Sequence, residues 1–85
     1  MAKYDRGADV LYLSYLSRSV VPARSREEKP GLVWRYDAEK GDLVGITIID
    51  FSTYWQKHRL ELLDELSQRF ALSREMAQAV LDSVG

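Results

Sequence analysis

The stretch "LVGITIIDFSTYWQKHRLELLDEL", Leu43 to Leu66, contains the change of period that decides the fold. From Leu43 to Phe51 the side chains alternate, with Val44, Ile46 and Ile48 on one side of an extended chain and Thr47, Ile49 and Phe51 on the other. Alternation rich in β-branched residues predicts a strand, here apolar on both sides. After Asp50 the period becomes helical: Trp55, Arg59, Leu62, Leu63, Leu66 and Phe70 fall on one stripe, apolar except at Arg59. Thr53 followed by Gln56 fits a capping box, in which a hydroxyl and an amide satisfy the first free backbone N–H groups. The helix that follows is expected to lie on the sheet. A shorter helix opens at Ser73, with Glu75 in its first turn, carries Met76, Ala77, Val80, Leu81 and Val84 on one face, and ends at Gly85.

Upstream, "LVWRYD" from Leu32 reads as a strand joined to the Leu43 strand by a turn from Ala38 to Gly41. "VLYLSYL" from Val10 reads as another. Between them Ser17 to Gly31 makes a long connection, within which Val20 and Val21 add a few strand residues that Pro22 confines to an edge. The expected class is α+β: an antiparallel β-meander of three to four strands followed by two C-terminal α-helices. Residues 1–85 form a single domain, with the meander in 1–52 and a helical extension in 53–85. Gly45, inside a β-branched strand, marks a bulge or a close approach by a side chain such as Trp34 or Trp55.

Composition narrows the function. A chain of 85 residues buries only about 60–65% of its unfolded surface on folding, so its core is marginal. It has no Cys, which removes disulfides, thiol chemistry and Cys-ligated zinc together. No apolar run reaches the roughly 20 residues of a membrane span, and "MAKYDRGAD" has no signal-peptide core, so the expected location is cytoplasmic. The net charge of -1 is spread evenly along the chain, which gives no footprint for a polyanion. Small size, no covalent staples and near-zero charge favour a homo-oligomer, a dimer above all.

Two phrases share a shape: "YDRGADVLYL" from Tyr4 and "YDAEKGDLVG" from Tyr36. Their aspartates, Asp5, Asp9, Asp37 and Asp42, are the first candidates for a site. A calcium loop starting at Asp37 fails, because Ala38, Lys40 and Gly41 are out of step with its ligand pattern. Turn chemistry has a mechanism: a short carboxylate accepts the N–H two residues on, and Gly7 or Gly41 supplies a positive-φ step. His58 is the single histidine, so a His-based centre would need carboxylates such as Asp9 or Asp50, or a second subunit. No nucleophile elbow, phosphate loop or dinucleotide fingerprint occurs. No catalytic, cofactor-binding or metal-binding residue is assigned.

Two nucleic-acid readings compete with a protein-binding one. Arg18, Arg24, Arg26 and Lys29, with Tyr12, Tyr15, Trp34 and Tyr36, would give a basic, aromatic sheet surface that stacks single-stranded bases, although Glu27 and Glu28 dilute it. The terminal strand, helix, turn and helix resemble ribbon-helix-helix DNA-binding proteins, with Lys57 and Arg74 as candidate contacts, but the strand offers only Thr47 and Asp50 as polar groups. The order of motifs, Tyr4, Asp5, Asp9, Leu11 and Tyr12, then Pro30 and Gly31, Tyr36 and Asp37, Gly41, and Val44, Gly45, Ile46, Ile48 and Asp50, resembles the domain of unknown function 2283 family of small bacterial proteins. The resemblance covers roughly residues 3–52. It implies a β-rich domain without assigned activity or catalytic residues, and an antitoxin-like role holding a partner protein such as a small toxin. The expectation is a non-enzymatic, oligomeric protein-binding or scaffold module, with a ribbon-helix-helix-like DNA-binding regulator as the alternative.

Overall fold

The computed structural model describes residues 2–15, 22–70 and 74–83. Five strands, β1 (Ala2–Asp5), β2 (Val10–Ser14), β3 (Ala23–Lys29), β4 (Leu32–Asp37) and β5 (Leu43–Ile49), form one antiparallel sheet in the order β1-β2-β5-β4-β3. A wide helical turn, Phe51–Trp55, leads into α1 (Arg59–Arg69), and α2 (Arg74–Ser83) follows. The class is α+β, as the change of period requires, with one strand more than the upper expectation. Only β3, β4 and β5 run as a meander. β1 and β2 form a separate hairpin whose second strand joins β5, so the strand with the clearest alternation becomes the centre of the sheet.

The two strands that periodicity does not announce are the edges. β1 is four residues long and two of them are charged, so no alternation shows in "AKYD". Its pairing comes from β2, with Tyr4 opposite Leu11 and Ala2 opposite Leu13. β3 begins just after Pro22 and reads "ARSREEK", a composition that suits an edge, where charge discourages pairing with other chains. The strand residues expected at Val20 and Val21, and the helix start expected at Ser73, lie outside the described residues.

The pleat divides the sheet cleanly. Leu11, Leu13, Leu32, Trp34, Ile46 and Ile48 point to one face and pack against Phe51, Trp55, Leu62, Leu63, Leu66, Phe70, Ala77 and Leu81. The predicted stripe of α1 is thus the buried one. Arg59, its charged member, lies at the helix edge and donates to the Gln78 carbonyl at 3.2 Å and to Asp82, while Arg74 pairs with Asp64, so α1 and α2 form an antiparallel hairpin. Met76 departs from expectation: it is exposed, and Ala77, Val80 and Leu81 carry the contact of α2. The charges of β3 serve this same face. Lys29 bridges Glu65 at 2.7 Å and Glu61 at 3.4 Å, and Glu28 pairs with Arg69, whose guanidinium lies 4.7 Å from the Trp34 ring centre and donates to the Tyr36 hydroxyl at 2.9 Å. These pairs raise the pKa of both cations, Lys29 chiefly through Glu65 and Arg69 chiefly through Glu28. The segment that reads as a long charged connection is a clamp on the helix.

Among the described residues no element covers the opposite face. It carries Val10, Tyr12, Val33, Thr47 and Ile49, with Tyr12 40% and Ile49 37% exposed. β5, apolar on both sides in sequence, is buried on its helix side, while Ile49 on the other side is 37% exposed. β5 itself is hydrogen-bonded along both edges, to β2 and to β4. A ribbon-helix-helix dimer instead pairs the free edge of such a strand with its counterpart from a second subunit.

Gly45 sits where the β4–β5 register shifts, between Arg35 and Tyr36. A Cβ there would stand 2.5 Å from the Leu13 carbonyl oxygen and 3.1 Å from the Ser14 Cβ, so the close approach is made by the β2 backbone and not by Trp34 or Trp55. Backbone in the middle of a sheet cannot move aside cheaply. Gly45→Val is expected to destabilise the fold by about 3 kcal/mol, the upper part of the overpacking range, read as a lowered urea midpoint; a midpoint within error of wild type would show that β2 yields.

Candidate functional site

The first two candidate phrases fold in different ways. At the β4–β5 turn the Asp37 carboxylate accepts the N–H groups of Glu39 at 2.8 Å and Lys40 at 3.0 Å, and Gly41 takes a φ of 78°. The Asp37 amide donates to the Asp42 carbonyl at 2.7 Å and closes the hairpin. This is the expected turn chemistry, carried out within six residues. At the β1–β2 corner the positive φ belongs to Asp9, at 55°, rather than to Gly7, and the local turn bond runs from the Ala8 N–H to Asp5 at 3.2 Å.

Asp9 does more than shape its own corner. Its Oδ1 accepts the Tyr4 hydroxyl at 2.6 Å and the Ser52 N–H at 2.9 Å; its Oδ2 accepts the N–H and the hydroxyl of Thr53, each at 3.1 Å. The Phe51 N–H donates to the Asp9 backbone carbonyl at 3.0 Å. Three successive N–H groups at the start of the helical segment are thus satisfied by a residue from the other end of the domain, a cap supplied through space. The capping box read at Thr53 and Gln56 does not form, because the Thr53 donors are turned to Asp9 and the Gln56 side chain accepts from Arg59 at 2.9 Å. Behind the cap Asp50, at φ 58°, turns the chain out of β5, and its carbonyl receives the N–H groups of Tyr54 at 2.9 Å and Trp55 at 3.2 Å.

These contacts fix the chemistry of Asp9. The Tyr4 hydroxyl first, then Ser52 and Thr53, hold its carboxyl well below the usual carboxylate range, and the same bond raises the Tyr4 hydroxyl. A carboxylate engaged by four donors stays ionised near neutral pH and is a poor general base there. His58 is engaged by its own turn: its Nδ1 lies 2.9 Å from the Tyr54 carbonyl and its ring stacks on Tyr54 at 4.1 Å. Among the described residues no group of three or more His, Asp or Glu is placed to share a metal ion.

The proposed aromatic platform divides between the two faces. Tyr12 lies on the open face, whereas Trp34 is fully buried on the helix face beside Phe70, with Tyr36 partly buried against the same core. Tyr15 packs on Phe70 at 5.4 Å and donates to the Phe70 carbonyl at 3.2 Å. One aromatic residue does not make a stacking surface. Arg18 lies outside the described residues, and Arg69 with Lys29 answers the acidic groups of β3 and α1. At the Asp50 end a cleft of about 450 Å³ lies between the β3–β4 turn and the helical turn. Here Trp55 makes the approach expected at Gly45: its Nε1 is 2.9 Å from where a Cβ of Gly31 would stand, and Gly31 has a φ of 85°. No periodicity could reveal this contact, since Gly31 and Trp55 belong to separate elements.

A closed hydrogen-bonded corner, a helix-covered sheet face and an open sheet face define a small α+β domain organised around structure at Asp9 and surface elsewhere. The chain belongs to the family described as Protein of unknown function (DUF2283), which matches residues 2–52. The match contains all five strands and the Tyr4–Asp9 corner and ends at Ser52, the first side-chain-bound amide of the cap. No curated protein and no solved structure matches the chain.

Because the native Asp9 pKa is depressed, the stability it adds is present above the ordinary carboxylate range, near pH 4, and is lost as pH falls through the lowered native value. Asp9→Asn is expected to melt below wild type at pH 7, with the gap narrowing as the pH is taken below about 4. Thermal melts across that range check it; a gap independent of pH would mean that the carboxylate is not held in its ionised form.

Proposed function

We propose that the protein is a non-enzymatic protein-binding module that recognises its partner through the open face of the sheet and self-associates there. The observation that carries this reading is the partial exposure of two large apolar side chains on that face, Tyr12 at 40% and Ile49 at 37%. In a chain of 85 residues, with a core this small, covering such a face adds buried apolar surface at roughly 25 cal/mol per Å². The edges are less suited to recognition: β3 is charged along its length and β1 is short.

The state of the polar groups supports a binding role over catalysis. The strongest carboxylate constellation is used in capping the helical segment, and His58 is held by Tyr54. An antitoxin-like role, in which the same surface holds a small partner protein, follows from the same face and would place self-association and partner capture in competition. No helix among the described residues is long and apolar enough to cross a membrane.

Size-exclusion chromatography with light scattering is expected to give the mass of a dimer at about 100 µM, a concentration that populates even a weak contact of modest size. A mass of one chain, 9.8 kDa, at that concentration would overturn the reading.

A further inference from the structure

We propose that two copies of the chain pack open face to open face about a two-fold axis running along β5, so that Lys3 of each copy stands opposite Glu27 of the other. This rests on the reading of the open face as the surface of self-association.

The register supplies the geometry. One row crosses all five strands in order: Lys3 pairs with Tyr12, Tyr12 with Thr47, Thr47 with Val33, and Val33 with Glu27. Residues paired across an antiparallel ladder share a face, so the row presents a cation at the β1 edge, apolar or hydroxyl-bearing groups in the middle and an anion at the β3 edge. Both charged ends are exposed, and one oxygen of the Glu27 carboxylate also accepts the Gly31 N–H at 3.0 Å, leaving the other for a partner. The next row, Ser14, Gly45, Arg35 and Ser25, has no side chain at its β5 position.

Two sheets that meet face to face as identical copies are related by an axis lying between them. An axis along the row would set Lys3 on Lys3 and Glu27 on Glu27. An axis along β5 exchanges the ends of the row, so each Lys3 meets a Glu27, Tyr12 covers Val33 of the other copy, and Thr47 and Ile49 meet their own counterparts. Gly45 lies on the same axis and adds no side chain there. The strands of the two sheets then run close to parallel, the aligned class of sheet packing, in which mean directions differ by about 30°. Between these two arrangements the end charges favour the axis along β5, which also sets Arg35 of each copy opposite Ser14 of the other.

The size of the contact sets its strength. Five strands about 4.8 Å apart and about six residues long give a footprint near 24 by 20 Å, close to the lower limit for a specific interface when both copies are counted. Association is therefore concentration-dependent and sensitive to the two symmetric charge pairs.

Sedimentation equilibrium of the full chain in about 0.1 M salt, where charges are screened beyond about 10 Å, tests the arrangement. Lys3→Glu is expected to weaken the dimer about tenfold by turning two attractions into repulsions. The double variant Lys3→Glu with Glu27→Lys is expected to return to within about threefold of wild type. Thr47→Arg, which places two like charges on the axis, is expected to give monomer, with an unchanged far-ultraviolet spectrum showing that the fold is kept. A dimeric wild type that Lys3→Glu leaves unchanged, or that the double variant fails to restore, would overturn the orientation and leave the binding reading standing. A dimeric, folded Thr47→Arg would remove this face as the interface, and a monomeric wild type would remove both.

Discussion

The rest of the structure depends on a carboxylate reaching across the chain. Asp9 collects Tyr4 from its own hairpin and the first amides of the helical segment, Ser52 and Thr53, from the far end of β5. Helix starts need such acceptors because their first N–H groups have no partner inside the helix. Most proteins place the acceptor next to the helix in sequence. Here the residue that would normally serve, Asp50, is occupied in turning the chain, and it caps no amide with its side chain. The entry angle of the helices, and hence the fit of Leu62, Leu63, Leu66 and Phe70 onto the sheet, is set by a corner that belongs to the first two strands.

This explains how much of the fold and of the candidate site can be read from residues alone. Asp37 is legible because its donors lie two and three residues away, inside the window where turn chemistry operates. The stripe of α1 and the alternation of β5 are legible for the same reason: each is a local pattern with a fixed period. Asp9 looks like Asp37 in sequence, yet its backbone amide donors are 43 and 44 residues away, and no spacing rule connects them. β3 is hidden because its charges are chosen by α1: Lys29 answers Glu65, and Glu28 answers Arg69. Met76 and the Thr53 capping box illustrate the opposite error, local patterns that tertiary contacts override.

The two faces of the sheet divide structural and surface roles. On the helix face Lys29, Glu28 and Arg69 tie β3 to α1, and the Arg69 guanidinium also lies over Trp34. On the other face Tyr12, Val33 and Ile49 stand beside Thr47 and Arg35 on the inner strands, with Lys3 and Glu27 on the edge strands. The family match ends at Ser52, so the open face and most of the Asp9 corner lie within the matched region, while Thr53 and the helices that complete the core lie beyond it.

The long reach of Asp9 also bears on the order of events in folding. The helical segment gains its cap only after β2 has joined β5, a pairing between residues 10 and 49 that closes most of the shared region into one loop. Loops of that span are entropically costly to close and slow folding relative to local hairpins. Until closure, the Phe51–Trp55 turn lacks its first acceptors and α1 lacks the apolar surface of Leu11 and Ile48 to pack on. Helices of 11 and 10 residues are marginal in isolation, so hydrogen exchange is expected to find them opening together with β2 and β5 as a single cooperative unit.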